Sequence, residues 1–263
     1  MNRLNGRTCI AGAATALVLI AGLGQASADS ADVDIIGLKL GMTLEEAQAA
    51  IAAYNPDLKI QPPVHKVIQY RVGNETRKTE PFLSYLFAVS GKKQSDDIYV
   101  YFSLPPGEPR AIAITRLHNN FDPPIPREVY RKALIEKYGE PAATEKDIYG
   151  DESQKLHWYQ WHIGDGKVQC VPHIPGGREV EGQFGSIAAT AIEAGQAFQR
   201  ITDPATGAML NAEARDASDC AVLLTYQLVR DPMFSAQGTL IDVAGAAKSE
   251  QEMSAWIDEH DLA

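Results

Sequence analysis

The sequence predicts an α+β fold made of two helix-plus-antiparallel-sheet lobes. Three observations predict it: an amphipathic helix with clear stop signals opens each half, alternating apolar runs separated by turn residues accompany each helix, and Asp122-Pro123-Pro124-Ile125-Pro126 divides the chain. The expected organisation is a leader at 1–28, a first lobe at 29–120 and a second at 121–263.

The leader comes first. Arg3 and Arg7 form a basic start, Cys9 to Leu23 an apolar run, and Ala26-Ser27-Ala28 a small-residue cleavage site. This is the pattern of an export signal, so the mature chain is expected to start near Asp29 in a periplasmic or secreted setting. Losing two of the 24 basic residues and none of the 34 acidic ones takes the formal charge from -10 to -12. An acidic chain repels phosphate backbones and anionic headgroups, which argues against nucleic-acid partners. After Leu23 no apolar stretch approaches the roughly 20 residues of a spanning helix, so no stable membrane insertion is expected.

In the first lobe, Thr43-Leu44-Glu45-Glu46 reads as a capping box, with Leu44, Ala47, Ile51 and Tyr54 at helical spacing behind it. Asn55 before Pro56 supplies a left-handed terminator and a breaker. Val64 to Val72 and Pro81 to Val89 read as strands. Ile98, Val100, Phe102 and Leu104 alternate with Tyr99, Tyr101 and Ser103, and the proline-rich turn at Pro105 to Pro109 returns the chain into a strand at Ala111 to Leu117.

Three prolines between Asp122 and Pro126 remove three backbone donors, so that stretch is a linker or a long crossover. The second lobe opens with a helix over Pro126 to Tyr138, with Tyr130, Leu134 and Tyr138 on one stripe and Gly139 as its terminator. Leu134-Ile135-Glu136-Lys137-Tyr138-Gly139 lies over Ala50-Ile51-Ala52-Ala53-Tyr54-Asn55, which suggests an internal duplication. Lys155 to Ile163 and Lys167 to Val171 flank Gly164-Asp165-Gly166 as a hairpin. Ala221 to Val229 and Thr239 to Ala244 add strands, Ile187 to Ile201 has helical character, and Glu250 to His260 is a terminal helix. With Cys9 removed, Cys170 and Cys220 remain, an even pair that predicts one disulfide in an oxidising compartment. The loop it would close, on the order of 50 residues, corresponds to about 4 kcal/mol in the chain-entropy picture.

The helix entry Gly37-Leu38-Lys39-Leu40-Gly41-Met42-Thr43-Leu44-Glu45-Glu46-Ala47 resembles that of BamE/SmpA-like and beta-lactamase-inhibitor-protein-like envelope domains, and Lys137-Tyr138-Gly139-Glu140-Pro141 is similar to the helix exit of the same unit. The resemblance implies helices packed on a small antiparallel sheet and a role in binding other proteins. It implies no catalytic residues.

Spacing-encoded chemistry is not present. The chain has no Gly-x-Ser-x-Gly elbow, His-Glu-x-x-His helix or phosphate loop, so no catalytic, cofactor or metal residues are assigned and no cofactor is expected. His157 and His162 fall on opposite faces of a strand, and Cys170 with His173 offers too few ligands for a closed metal shell. His65 and His118 could join them only through tertiary folding. The paired acids Asp96-Asp97, Asp151-Glu152 and Asp258-Glu259 read as solvated charge. Trp158, Tyr159 and Trp161 form the densest aromatic cluster and are the candidate interaction surface, since such rings bury large areas at low rotamer cost. The expected function is an exported soluble module that binds another envelope protein. The alternative is an envelope hydrolase or other enzyme whose site is dispersed in sequence.

Overall fold

The computed structural model describes residues 32–91, 95–146, 151, 155–164, 167 and 217–261. Strand β1 (Asp34–Ile35) turns into β2 (Leu38–Lys39) through Ile36 and Gly37, both at positive φ, and the Gly37 N–H donates to Asp34 Oδ1. Helix α1 (Leu44–Tyr54) begins at the expected box: Thr43 Oγ1 accepts the Glu46 N–H at 3.2 Å while Glu46 Oε2 accepts the Thr43 N–H at 2.8 Å. Its end differs from expectation. Asn55 is extended, with φ -153°, not left-handed, because the chain leaves directly toward the sheet.

Strands β3 (Lys59–Ile60) and β4 (Val64–Lys66) lead to a separate hairpin of β5 (Gln69–Val72) and β6 (Glu75–Lys78), so the single strand expected over Val64 to Val72 is broken in two. The hairpin turns at Gly73-Asn74, where Gly73 takes φ +57°. A meander follows in β7 (Phe82–Val89), β8 (Asp96–Phe102) and β9 (Ala111–Asn119), then helix α2 (Arg127–Tyr138), ended by Gly139 at φ +81°. Beyond it lie β10 (Ala143–Lys146), β11 (Leu156–Ile163), β12 (Val222–Val229), β13 (Ser235–Ile241) and helix α3 (Val243–Asp261).

The expectation of two lobes is overturned. Among the described residues all strands but the β1–β2 and β5–β6 pairs form one antiparallel nine-stranded sheet in the order β10-β11-β12-β13-β9-β8-β7, with β3 and β4 both on the outer edge of β7. The join is β13 on β9, in a register that sets Thr239 opposite Thr115 and Ile241 opposite Ala113. Its physical reason is β9 itself. Ala111 through Thr115 are all buried, so an open β9 edge would leave backbone donors and acceptors without water or partners. Strand β13 pairs with them and fuses the halves. The proline stretch is accordingly the start of a crossover: the chain leaves β9, passes through α2, enters the sheet at its far edge as β10, and returns strand by strand to β9. The suggested duplication goes with the lobes, because α1 and α2 serve one sheet.

One face of that sheet carries the main core. Leu86, Ala88, Ile98, Val100, Ile114, Leu224, Leu228 and Leu240 cluster with Ile35 and Leu38 of the first hairpin, Ala47 and Ile51 of α1, and Leu134 of α2. The two helices thus cover one face. Helix α3 closes elsewhere: its Ser249 Oγ accepts the Leu104 N–H at 2.6 Å, and Trp256 meets Tyr70 of β5 edge-to-face at 6.2 Å. The helix runs longer at its start than the expected Glu250 to His260. No helix among the described residues is long and apolar enough to cross a membrane. The hairpin partner expected at Lys167 to Val171 and the helix expected at Ile187 to Ile201 lie outside the described residues, Lys167 excepted; β11 is instead flanked by β10 and β12.

Candidate functional site

The aromatic cluster chosen from sequence divides between faces. Tyr159 and Trp161 point into the main core at 6 % and 4 % exposure, and Trp161 packs edge-to-face on Tyr226 at 6.3 Å while its Nε1–H donates to the Gly139 carbonyl at 2.9 Å. Neither can present a contact surface. There Tyr138 of α2 packs on Trp161 at 5.7 Å and on Tyr226 at 5.9 Å, so the rings join the helix to the sheet. Trp158 faces the opposite side of β11 and is half-buried. Cys220 is buried just before β12, whereas Cys170 lies outside the described residues.

The histidines do not converge. His157 and His162 occupy opposite faces of β11, His65 is exposed on β4, and His173 lies outside the described residues. Among the described residues no group of three His, Cys, Asp or Glu side chains is placed to hold a metal ion. Asp258 and Glu259 are exposed on α3, as solvated charge should be. Asp96 is different.

Asp96 starts β8 on the core-facing side, directly opposite His118 of β9, and Arg116 lies on that same side two residues earlier. Arg116 grips the carboxylate with two bonds, Nε to Oδ1 at 2.8 Å and Nη2 to Oδ2 at 3.0 Å. The last residue of α1 completes the group. Tyr54 Oη donates to Asp96 Oδ2 at 2.7 Å and accepts from Arg116 Nη2 at 2.5 Å, with the guanidinium 5.1 Å over its ring. His118 Nδ1 lies 2.9 Å from the same Nη2, and its ring stacks on Phe121 at 4.3 Å and 5°. Phe121 in turn meets Tyr130 of α2 edge-on at 5.8 Å.

The electrostatics follow from burial and these partners. Burial alone would raise the Asp96 carboxyl, but the hydrogen bonds and charge of Arg116, with the Tyr54 hydroxyl, hold it below the ordinary carboxylate value. Burial opposes charge on Arg116 as well, and Asp96 outweighs it, so the guanidinium stays protonated. Burial pushes the Tyr54 hydroxyl up to about 12 against the opposing Arg116 charge. Burial and the Arg116 charge both lower His118, which Asp96 only partly offsets. His118 is therefore neutral at pH 7. A guanidinium only donates, so the contact assigns Nδ1 as an acceptor that shares the two Nη2 hydrogens with Asp96 Oδ2 and Tyr54 Oη, and this places the ring proton on Nε2. Chemically the cluster offers a hydrogen-bond donor, while its carboxylate oxygens and the Nδ1 lone pair are already engaged. That composition suits a lock between α1 and the sheet better than a general base.

A second feature lies on the opposite face of β7 and β8. There Phe87 stands across from Tyr99 and Tyr85 across from Tyr101. The Phe87 and Tyr99 rings are nearly parallel at 5.9 Å and 11°, Tyr99 and Tyr101 at 6.4 Å and 13°, and Tyr85 closes the set at 5.7 Å from Tyr101. Lys66 Nζ of β4 sits 5.6 Å over the Tyr85 ring. Tyr85, Phe87 and Tyr99 are half-buried, and only Tyr101 is fully covered. The residues between them, Leu86, Ile98 and Val100, are wholly buried on the core face, so strand alternation fixes the four rings on the other side. The signal was in the sequence as the alternation of Tyr99 and Tyr101 with Ile98 and Val100.

Comparison of the chain with protein families, with curated proteins and with solved structures finds no match.

Proposed function

We propose that this chain is an exported binding module of the cell envelope that docks another protein on the aromatic strip of β7 and β8. The observation that supports this reading is the strip itself: Tyr85, Phe87 and Tyr99, partly open to solvent, on rigid strands whose other face is the core. Rings held this way contribute large apolar area with little entropy left to lose on association. The helix entry at Gly41-Met42-Thr43, with its resemblance to protein-binding envelope domains, supports the same class of function. Export carries its own marker in the proposed Cys170–Cys220 disulfide, and free thiols at both positions in protein recovered from its native source would count against it.

A photo-crosslinking amino acid at Phe87, compared with one at the exposed Val129 of α2, tests the surface in the native host. A discrete protein adduct from position 87, absent from 129 and lost on Tyr99→Ser, is the expected result. Adducts of equal yield from both positions, or none from 87, would overturn the assignment.

A further inference from the structure

We propose that His118 is an acid-operated latch on the end of α1: once protonated it gives up Arg116, takes Asp96 Oδ2 as its new partner, and displaces the Tyr54 hydroxyl from that oxygen. The geometry carries the exchange. His118 Nδ1 faces the Arg116 Nη2 donor at 2.9 Å and lies 4.0 Å from Asp96 Oδ2, so one nitrogen is within reach of both a donor and an anion. A proton taken from solvent onto Nδ1 sets two N–H groups against each other. The same proton makes the carboxylate attractive at a distance that a small ring movement closes.

The groups around the imidazole limit what else can happen. From β8 it faces Asp96, from its own strand Arg116, and from β13 Ala236, which stands opposite it in the register and cannot titrate. Tyr54 reaches the group from α1 through Arg116 and Asp96, and Tyr130 from α2 through Phe121. The Phe121 face tolerates the cation, since a charged ring over an aromatic face is attracted to it. Arg116 keeps its Nε bond to Oδ1, so the ion pair survives. The group that loses its place is Tyr54, and with it the anchor of the α1 C-terminus. The Asp96 carboxyl is held below its ordinary value against burial by the Arg116 and Tyr54 hydrogen bonds, and burial with the Arg116 charge holds His118 below its own. At the side-chain level His118 is only 26 % exposed, which keeps the exchange local.

Hydrogen exchange on the full chain, corrected for intrinsic rates, tests the latch at the Ile51 to Asn55 amides. Protection there should fall by roughly tenfold as pH drops through the His118 titration, while the Leu134 to Tyr138 amides of α2 stay constant. In His118→Gln, which keeps an acceptor for Arg116 but cannot titrate, the Ile51 to Asn55 protection should be flat. An equal fall in the variant, or no fall in the wild-type chain, would overturn the proposal. Side-chain nitrogen spectra of His118 in the unsubstituted protein give a second check. The expected neutral form carries its proton on Nε2, and a proton on Nδ1 would remove the premise.

Discussion

Arg116 follows the buried run Ala111 to Thr115 on β9, and a guanidinium at that depth is stable only beside an anion. Its side chain is 15 % exposed and that of Asp96 9 %, so removing one partner strands the other in a poorly solvated place. Asp96→Asn should therefore cost about 2–4 kcal/mol, read as a lower denaturation midpoint at neutral pH. Tyr54→Phe, which leaves the ion pair intact, should cost only about 1 kcal/mol. The pH dependence has a definite sign. Because the Asp96 carboxyl is held below its unfolded value of 3.8, its contribution is complete above that pH and is lost as pH falls through the folded value. The stability gap between wild type and Asp96→Asn should thus narrow as pH falls below about 4. None of this network has a spacing signature, since α1, β8 and β9 each supply part of it. What the sequence did offer was Arg116 itself: a lone cation in the run Ala111 to Leu117 has to meet an acid, and Asp96 sits in the strand paired beside it. Reading Asp96-Asp97 as one solvated pair missed that strand alternation sends the two carboxylates to opposite faces.

Elements whose signals are local were legible, and those created by partners were not. The box at Thr43 and Glu46 starts α1 because both bonds lie within four residues, and Thr43→Ala should lower the stability by about 1 kcal/mol in chemical denaturation. Strand β13 shows the other case. Ser235-Ala236-Gln237-Gly238 looks like a poor strand, so the expected element began only at Thr239, yet β13 begins at Ser235. Gly238 is there for its neighbour. A Cβ at this position would lie 2.6 Å from Tyr226 Cε1 and 2.7 Å from Cζ, and Tyr130, Tyr138 and Trp161 hold that ring from its other sides. Gly238→Ala should consequently destabilise by about 1–3 kcal/mol, although alanine is ordinarily the easier residue to place in a strand. Pairing it with Tyr226→Leu should recover part of that loss if the clash is the cause, and full additivity of the two changes would show that it is not. The short strands β3 and β10 likewise have no pattern of their own; each exists because a longer strand, β7 or β11, offers it an edge.

At the scale of the whole molecule, the pairing of β13 with β9 decides how the chain behaves when it is divided or stressed. The halves read from sequence each contain a plausible helix and strands, and nothing local shows that the central edge of one is completed by the other. Sheet order is a long-range property, and Ser235 to Ile241 finds Asn119 to Ala113 only after the chain has passed α2 and the far edge. A fragment ending at Asn120 would expose the seven β9 positions from Ala113 to Asn119 that the register pairs with β13, and would also lose Leu134, Leu224, Leu228 and Leu240 from the core. Such an apolar edge is a template for self-association. Residues 29–120 expressed alone should accordingly aggregate or lack the amide protection that β8 and β9 have in the full chain, whereas mixing with residues 121–263 should restore it. The intact protein should lose fluorescence from Trp161, in the second half, and protection at Ile98 and Val100, in the first, at the same denaturant concentration, as one cooperative unit does. Two separated transitions, or a well-ordered first fragment, would show that the halves are coupled more weakly than a shared sheet and a shared core require.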